Sequence, residues 1–376
     1  ILGPRVALKI SMSGAGIGGL AAAIALGRDG SDVTVAERAA QITEVGAGIQ
    51  IRPNGMHVIR SLGLEGAVTA ASVRAEAVHL IDGPTGRPVT TLHVKRDAPD
   101  LHWALVHRAD LIELLLNAAQ DAGARIETGR EIAPPADGAA LPGDDLLIGA
   151  DGLRSAMRAV LLAQDTPFFT GQVAWRAVIE DSNAPPEVEV HMGPGRHLVS
   201  YPLTKGRRNI VAIEERSEWA EEGWSHTDDP RNVRAAFAGF APKSRAWLDR
   251  IEEVNIWGLF RHPVASRWYS AQQVMLGDAA HPTLPFLAQG ANLALEDAAV
   301  LARTLKEGGD LALYQTARQL RARRVVDAAS QNARNYHLSG PKRLVGHTLL
   351  RIAGAIAPSA ALKRFDWLYR FDATKD

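Results

Sequence analysis

The 376-residue sequence contains no cysteine. Disulfides, thiolate metal ligands and a cysteine nucleophile are therefore excluded together, and cysteine usage does not mark a redox compartment. Charge of one sign is also missing. Lys and Arg number 42 against 42 Asp and Glu, so no overall field draws the chain to nucleic acid or to an anionic membrane. Long apolar runs are absent as well: the best candidate, Leu344 to Leu362, is interrupted by His347, Arg351 and Pro358. That stretch is too polar and too short to cross a bilayer, and it predicts a docked C-terminal helix. His281 precedes Pro282 and has no second His or acid at helical ligand spacing, so a structural hydrogen bond is expected there and no metal site.

What the chain does have is apolar content, 46%, enough for a large core in two joined domains or one large one. The first strand begins within a few residues of Ile1, which leaves no room for a secretory leader and makes the cytoplasm the expected location. That strand, from Val6 to Met12, runs into Gly14-Ala15-Gly16-Ile17-Gly18-Gly19 and then a helical run to Arg28. Gly14 permits the tight turn, Gly16 lets backbone approach a pyrophosphate, and Gly19 lets the helix pack closely on the strand. Gly30 reads as a left-handed cap, and Asp32 to Ala36 as a second strand ending in Glu37. A carboxylate there holds a ribose diol and repels a 2′-phosphate, so the expected ligand is FAD or NAD rather than NADP.

Further along, Glu44 to Asn54 contains two glycines and a proline and reads as a shaped loop packed against something flat, followed by a helix from Asn54 to Leu62. Val78 to Leu92 reads as a β-hairpin. Arg108 stands at a strand-to-helix junction, where it either clamps phosphate or pairs with Asp110. Ala124 to Thr128 and the apolar Asp145 to Ala150 continue a parallel sheet, and the latter ends in Asp151-Gly152, where open α/β sheets bind ligands. Short alternating runs between Thr166 and Arg267 predict an antiparallel sheet, and in one of them His197, Val199 and Tyr201 share a face. An ordinary half-buried strand fits that pattern as well as a site does. The chain then returns through a buried strand, Gln273 to Leu276, to Gly277-Asp278 and a long helix starting near Leu293. The peptide N–H groups of Gly290, Ala291 and Asn292 form a second anion or hydroxyl site. Arg318, Arg321, Arg323 and Arg324 read as the solvated basic face of a helix over 311–336.

Three stretches together, Gly14 to Glu37, Asp151-Gly152 through Ser155 and Arg158, and Gly277-Asp278 through Asn292, resemble the signatures of single-component FAD-dependent aromatic monooxygenases. The runs Gly46-Ala47-Gly48-Ile49-Gln50 and His107-Arg108-Ala109-Asp110-Leu111 are most similar to those of salicylate, hydroxybenzoate and hydroxynicotinate hydroxylases. The resemblance implies an α/β fold: a Rossmann-like FAD-binding domain (1–165, with the hairpin insertion near 78–106, returning at 268–310), an inserted antiparallel-sheet substrate domain (166–267) and C-terminal helices (311–376). It implies FAD, NADH or NADPH, and O₂, with hydroxylation of a small aromatic acid through a flavin C4a-hydroperoxide. The expected cofactor residues are Gly14, Gly16, Ile17, Gly18, Gly19, Glu37, Arg38, Gly48, Gln50 and Arg108, with Asp151 serving both FAD and the nicotinamide. Asp278 would hold the ribityl chain, and Pro285, Gly290, Ala291 and Asn292 the ring. His197 and Tyr201, with Leu284 and Pro285, would contact the substrate, His197 as base and Tyr201 orienting. Ala288 departs from the family, which often has glycine before Gln289-Gly290. A flavin-binding reductase or redox sensor is the other reading. The expected oligomer is a monomer or homodimer, with no nucleic-acid partner and no stable membrane association.

Overall fold

A computed structural model describes residues 7–42, 47–162, 165–217, 226–357 and 359–375. Strand Lys9–Ser13 lies at the centre of a five-stranded parallel sheet, between Asp32–Glu37 and Leu146–Gly149. Arg125–Thr128 and Gln273–Met275 close the two edges. Its apolar side chains, such as Ile10, Met12, Val33, Val35, Leu147 and Ile148, are buried on both faces. The helices Ile17–Arg28, Arg108–Asp121 and Gly290–Lys306 cover them. This is the doubly wound α/β domain expected from the glycine turn. Val6 lies outside the described residues, and Gly30 caps the first helix at φ +95°.

An eight-stranded sheet stands beside it, antiparallel except where Ala77–Asp82 runs parallel to Glu187–Gly193. The hairpin expected at 78–92 forms, Ala77–Asp82 with Pro88–Leu92, but through this pairing it extends the large sheet instead of standing alone. One face of the sheet packs Trp175, Ile179, Leu198 and Ile210 against two short helices, Pro230–Ala236 and Pro242–Asp249. The other face, with Ala174, Val199, Val211, Ile213 and Trp257, turns toward the segment around Leu284 and Phe286.

Three expectations are corrected. The shaped loop contains a strand, Gly48–Ile51, which pairs antiparallel with Ala104–His107 because Ile49 and Ile51 alternate with Gly48 and Gln50. Glu44, Val45 and Gly46 lie outside the described residues. The C-terminal helix Gly340–Ile356 docks by its polar face: Arg343 bonds Asp82, Arg351 Nε donates to the carbonyl of Pro88 (3.0 Å), and Leu344 and Ile356 stay 69% and 79% exposed. No helix among the described residues is long and apolar enough to cross a membrane.

The basic helix is the third. In Leu311–Tyr336, Arg318 is completely buried and Arg321 nearly so. Arg318 Nε donates to Asp297 (2.7 Å) and its Nη1 lies 2.7 Å from Glu296, which also takes two 2.7 Å bonds from Arg321. Two adjacent buried acids on the facing helix demand counter-charge, and these arginines supply it. Burial pushes the Asp297 carboxyl up, but His281 and Arg318 outweigh it and bring it down to about 2. Replacing Arg318 with Met removes the cation shared by two buried carboxylates and should cost about 3–5 kcal/mol in urea unfolding. A wild-type midpoint would contradict this. Because the Asp297 pKa is depressed, its contribution is complete above the ordinary Asp value of about 4 and fades as pH falls toward 2.

Candidate active site

The site begins at the glycine turn. Gly14 adopts φ +104°, and a Cβ there would lie 2.4 Å from the carbonyl oxygen of Ala150. At Gly19 it would lie 2.1 Å from that of Gly14 and at Gly18 2.7 Å from Leu276. Gly16 differs: nothing lies within 4 Å of its missing side chain, and it lines a cavity. The turn is thus packed at Gly19 by its own backbone, at Gly14 by Ala150 and at Gly18 by Leu276, and is open at Gly16, where a ligand can approach the helix N–H groups. Glu37 buckles it, Oε2 accepting from Ala15 N–H (3.0 Å) and Oε1 from Ala39 N–H (2.9 Å).

One cavity of about 710 Å³ extends from this turn to the large sheet. The parallel-sheet side contributes Gly16, Ile17, Gly18, Gly19, Arg38, Arg108, Asp151 and Asp278. The strand Gly48–Ile51 and the segment before the helix Gly290–Lys306 add Gly48, Gln50, Leu284, Pro285, Gly290 and Ala291. The large sheet adds Arg176, Val199, Tyr201 and Trp257. Of the expected site residues, Gly14, Glu37, Asn292 and His197 do not line it.

The charges in this cavity are set by geometry. Asp151 Oδ2 accepts from Ala156 N–H (2.8 Å) at the start of the helix Ala156–Leu161, leaving Oδ1 buried without a partner. Burial raises its pKa against these hydrogen bonds, and burial likewise raises that of Asp278, opposed by His281 and Arg108. Asp110 is engaged by Lys205 (3.4 Å) and Arg207 (3.3 Å), and Arg108 lines the cavity. The cavity therefore presents a glycine-cradled helix end with Arg38, Arg108 and Arg154 to an anion, and an acid with an open oxygen to a hydroxyl.

A family profile described as FAD binding domain matches residues 8–140 and 144–329. The 3-amino-4-hydroxybenzoate 2-monooxygenase PtnB3 of Streptomyces platensis is 32% identical over 97% of this chain and 96% of its own length. For the 3-hydroxybenzoate 6-hydroxylase of Polaromonas naphthalenivorans (strain CJ2) the figures are 32%, 96% and 96%. The chain belongs to the FAD-dependent aromatic monooxygenases. The solved structure of Klebsiella pneumoniae HpxO complexed with FAD and uric acid superposes with a TM-score of 0.81 at 26% identity, covering 94% of this monooxygenase and 95% of HpxO.

In the monooxygenase, the segment between Gly277 and Asn292 is held from behind. Asp297 accepts from Gly277 N–H (2.8 Å) and contacts His281 Nε2 (2.5 Å), the structural hydrogen bond expected of that histidine. Asn292 points away from the cavity, its Oδ1 accepting from Arg52 N–H (2.8 Å) and its Nδ2 donating to Gln50 and Ala288 carbonyls (3.1 and 2.7 Å). Ala288 is left-handed at φ +51°, ψ 46°, the backbone that favours glycine, so the side chain costs about 1 kcal/mol where the family often has none. Arg158 is buried too, bonding Asp165 (2.7 Å) and the carbonyls of Ala279 (2.9 Å), Ala280 (3.1 Å) and Pro263 (2.7 Å), so it braces the Asp278 segment.

Tyr201 is buried at the cavity wall, and burial raises its phenol pKa. His197 lies farther along the same face, 1% exposed, against Phe286 and Tyr336. The partially exposed Glu215 accepts from His337 Nδ1–H (2.7 Å), which leaves His337 Nε2 to accept from His197 Nδ1–H (2.7 Å). That order leaves His197 Nε2 a lone pair, buried without a partner. Burial, then His337, hold the His197 pKa well below 6.5, so the ring is neutral.

Sequence reasoning missed Arg176, Trp257, His337 and Glu215. Alternation in the strand Phe168–Glu180 places Arg176 on the face opposite Trp175, which was a usable signal; the guanidinium lies 4.4 Å over Trp257. Removing the Glu37 carboxylate should unbuckle the turn and weaken FAD binding by about 1.5–3 kcal/mol, read by flavin fluorescence on titration of the apoprotein. Unchanged affinity would leave Glu37 without a role in the cradle.

Proposed function

We propose that this monooxygenase uses NADH or NADPH and O₂ to hydroxylate a small phenolic or hydroxylated heteroaromatic carboxylic acid. The glycine turn, Gly14 to Gly19, with Glu37, Arg38 and Arg108, holds the ADP half of FAD. Asp278 holds the ribityl chain, while Gly48, Gln50, Pro285, Gly290, Ala291 and the Asn292 backbone hold the ring. Asp151 serves both FAD and the transient nicotinamide. When bound, the flavin supplies dioxygen activation, and the protein supplies binding, orientation and proton handling. Leu284, Pro285 and Val199 make an apolar wall that excludes water from the ring edge. The substrates in the relatives' names favour this reading over a reductase or redox sensor. Balanced charge favours an enzyme without a nucleic-acid partner, and no helix among the described residues is long and apolar enough to cross a membrane; we propose a cytoplasmic monomer or homodimer.

The observation that carries the reading is the Glu215–His337–His197 chain. Its inner end is a buried lone pair beside Phe286 and Tyr336, two residues along the strand from Val199, which lines the cavity. A substrate hydroxyl oriented by Tyr201 gives its proton to His197 Nε2 as Nδ1–H passes to His337 and His337 Nδ1–H to Glu215. No imidazolium accumulates in the buried ring, which is what its lowered pKa demands. The proton reaches a carboxylate that is 53% exposed.

Candidate hydroxybenzoates should accelerate NADH or NADPH oxidation by the FAD-loaded enzyme; a panel without effect would contradict the reading. His197→Ala should lower hydroxylation by ~10²–10⁴ while FAD content stays near normal, with partial recovery as pH approaches the phenol's own pKa of about 10. Wild-type turnover, or loss of FAD instead, would return His197 to a packing role. With wild-type His197 held neutral, the acid limb of kcat/KM should not follow an ordinary imidazole near 6.5.

A further inference from the structure

Arg52 follows the strand Gly48–Ile51 as the N-cap of the helix Pro53–Ser61, two residues after Gln50; Gln50 and Tyr201 line the cavity, and Arg52 itself does not. It is 8% exposed. Its guanidinium stacks 3.9 Å over Trp103 and lies 5.8 Å from the Tyr369 ring, while Nε and Nη1 have no hydrogen-bond partner. The titratable groups acting on it are the phenols of Tyr369, Tyr336 and Tyr201, with no carboxylate among them. A buried cation without counter-charge is expensive to maintain, and an aromatic face offsets only part of that cost. Contrast Arg318 and Arg321, which meet two acids in the same core. The backbone of Arg52 is fixed by the Asn292 bond. Neighbouring amides are also short of partners: Gln50 Oε1 and Gln289 Nε2 are buried and unpaired, and both residues line the cavity.

We infer that Arg52 is the anchor for the substrate's carboxylate, received by a charge-assisted hydrogen bond on its unpartnered Nε–H or Nη1–H, with Gln289 Nε2 as an additional donor. This rests on the proposed hydroxylation of an aromatic acid and adds the group that selects for the acid. Tyr336 links the two ends of the site: its ring packs on His197 (5.2 Å between centroids), and its phenol acts on Arg52. A ring placed there has its carboxylate at the cation and its hydroxyl toward the His197 lone pair.

The test titrates FAD-loaded enzyme with 3-hydroxybenzoate and with its neutral counterpart 3-hydroxybenzamide, following the flavin absorbance change. Wild type should prefer the acid by about 10- to 100-fold, the range of hydrogen bonds to a charged partner. Arg52→Gln should lose that preference while binding the amide as wild type does, and Arg52→Lys should keep part of it. Equal wild-type binding of acid and amide would overturn the anchor without need of any variant. So would an Arg52→Gln protein that still prefers the acid. If wild type bound neither probe and no hydroxybenzoate raised NADH or NADPH oxidation, the proposed function itself would fall. Acid-stimulated oxidation with no acid preference removes Arg52 alone.

Discussion

Two adjacent carboxylates, Glu296 and Asp297, buried completely in one turn of the helix Gly290–Lys306, constrain the rest of the structure. Burying one ionised acid costs several kcal/mol, and a pair repels itself as well. The chain meets this by bringing partners from three directions. Asn54 Nδ2 donates to Glu296 (2.7 Å) and to Gln289 (2.9 Å) from the helix after the Gly48–Ile51 strand. Arg318 and Arg321 come from the helix behind, His281 and the Gly277 N–H from the segment in front. Each partner belongs to an element that borders the cavity or supports one that does. Satisfying the acids therefore fixes the cavity's shape.

The cofactor half and the substrate half are built by different means. On the glycine-turn side, backbone contacts under 3 Å leave no room for side chains, and the ligand meets N–H groups and glycine faces. On the large-sheet side, strand alternation delivers one side chain in two, so Arg176 from the strand Phe168–Glu180 and Val199 and Tyr201 from the strand Arg196–Leu203 arrive at one wall, with His197 farther along the same face. Rigid backbone suits a dinucleotide cofactor. Side chains carry what differs between substrates.

The parts legible in the sequence are those whose cause is local. The turn Gly14 to Gly19, the strand ending at Glu37, the apolar strand before Asp151 and the four runs of the antiparallel sheet all announce themselves within a few residues. Arg318 was illegible because its counter-charges lie 21 and 22 positions earlier on another helix, and a run of arginines looks the same solvated or buried. The proton chain was illegible for the same reason: His197 and His337 are 140 residues apart. Sharing a face correctly grouped His197 with Tyr201, yet gave no hint that the imidazole would be held neutral by burial and by a second histidine. Glu37 was recognised as the acid at the strand end, but not as the clasp that holds the turn through Ala15 and Ala39. Short strands such as Gly48–Ile51 depend on a partner 53 to 59 residues away and read as loops until that partner is known.

The central claim is that this protein inserts an oxygen atom into an aromatic acid while its own side chains manage the substrate's proton and charge. The most direct measurement is mass spectrometry of the product formed under ¹⁸O₂ in unlabelled water, alongside NADH or NADPH consumption. The account predicts one ¹⁸O atom in a new ring hydroxyl for each reduced nicotinamide oxidised. Nicotinamide oxidation that yields hydrogen peroxide and leaves the acid unlabelled, or a product carrying oxygen from water, would contradict it.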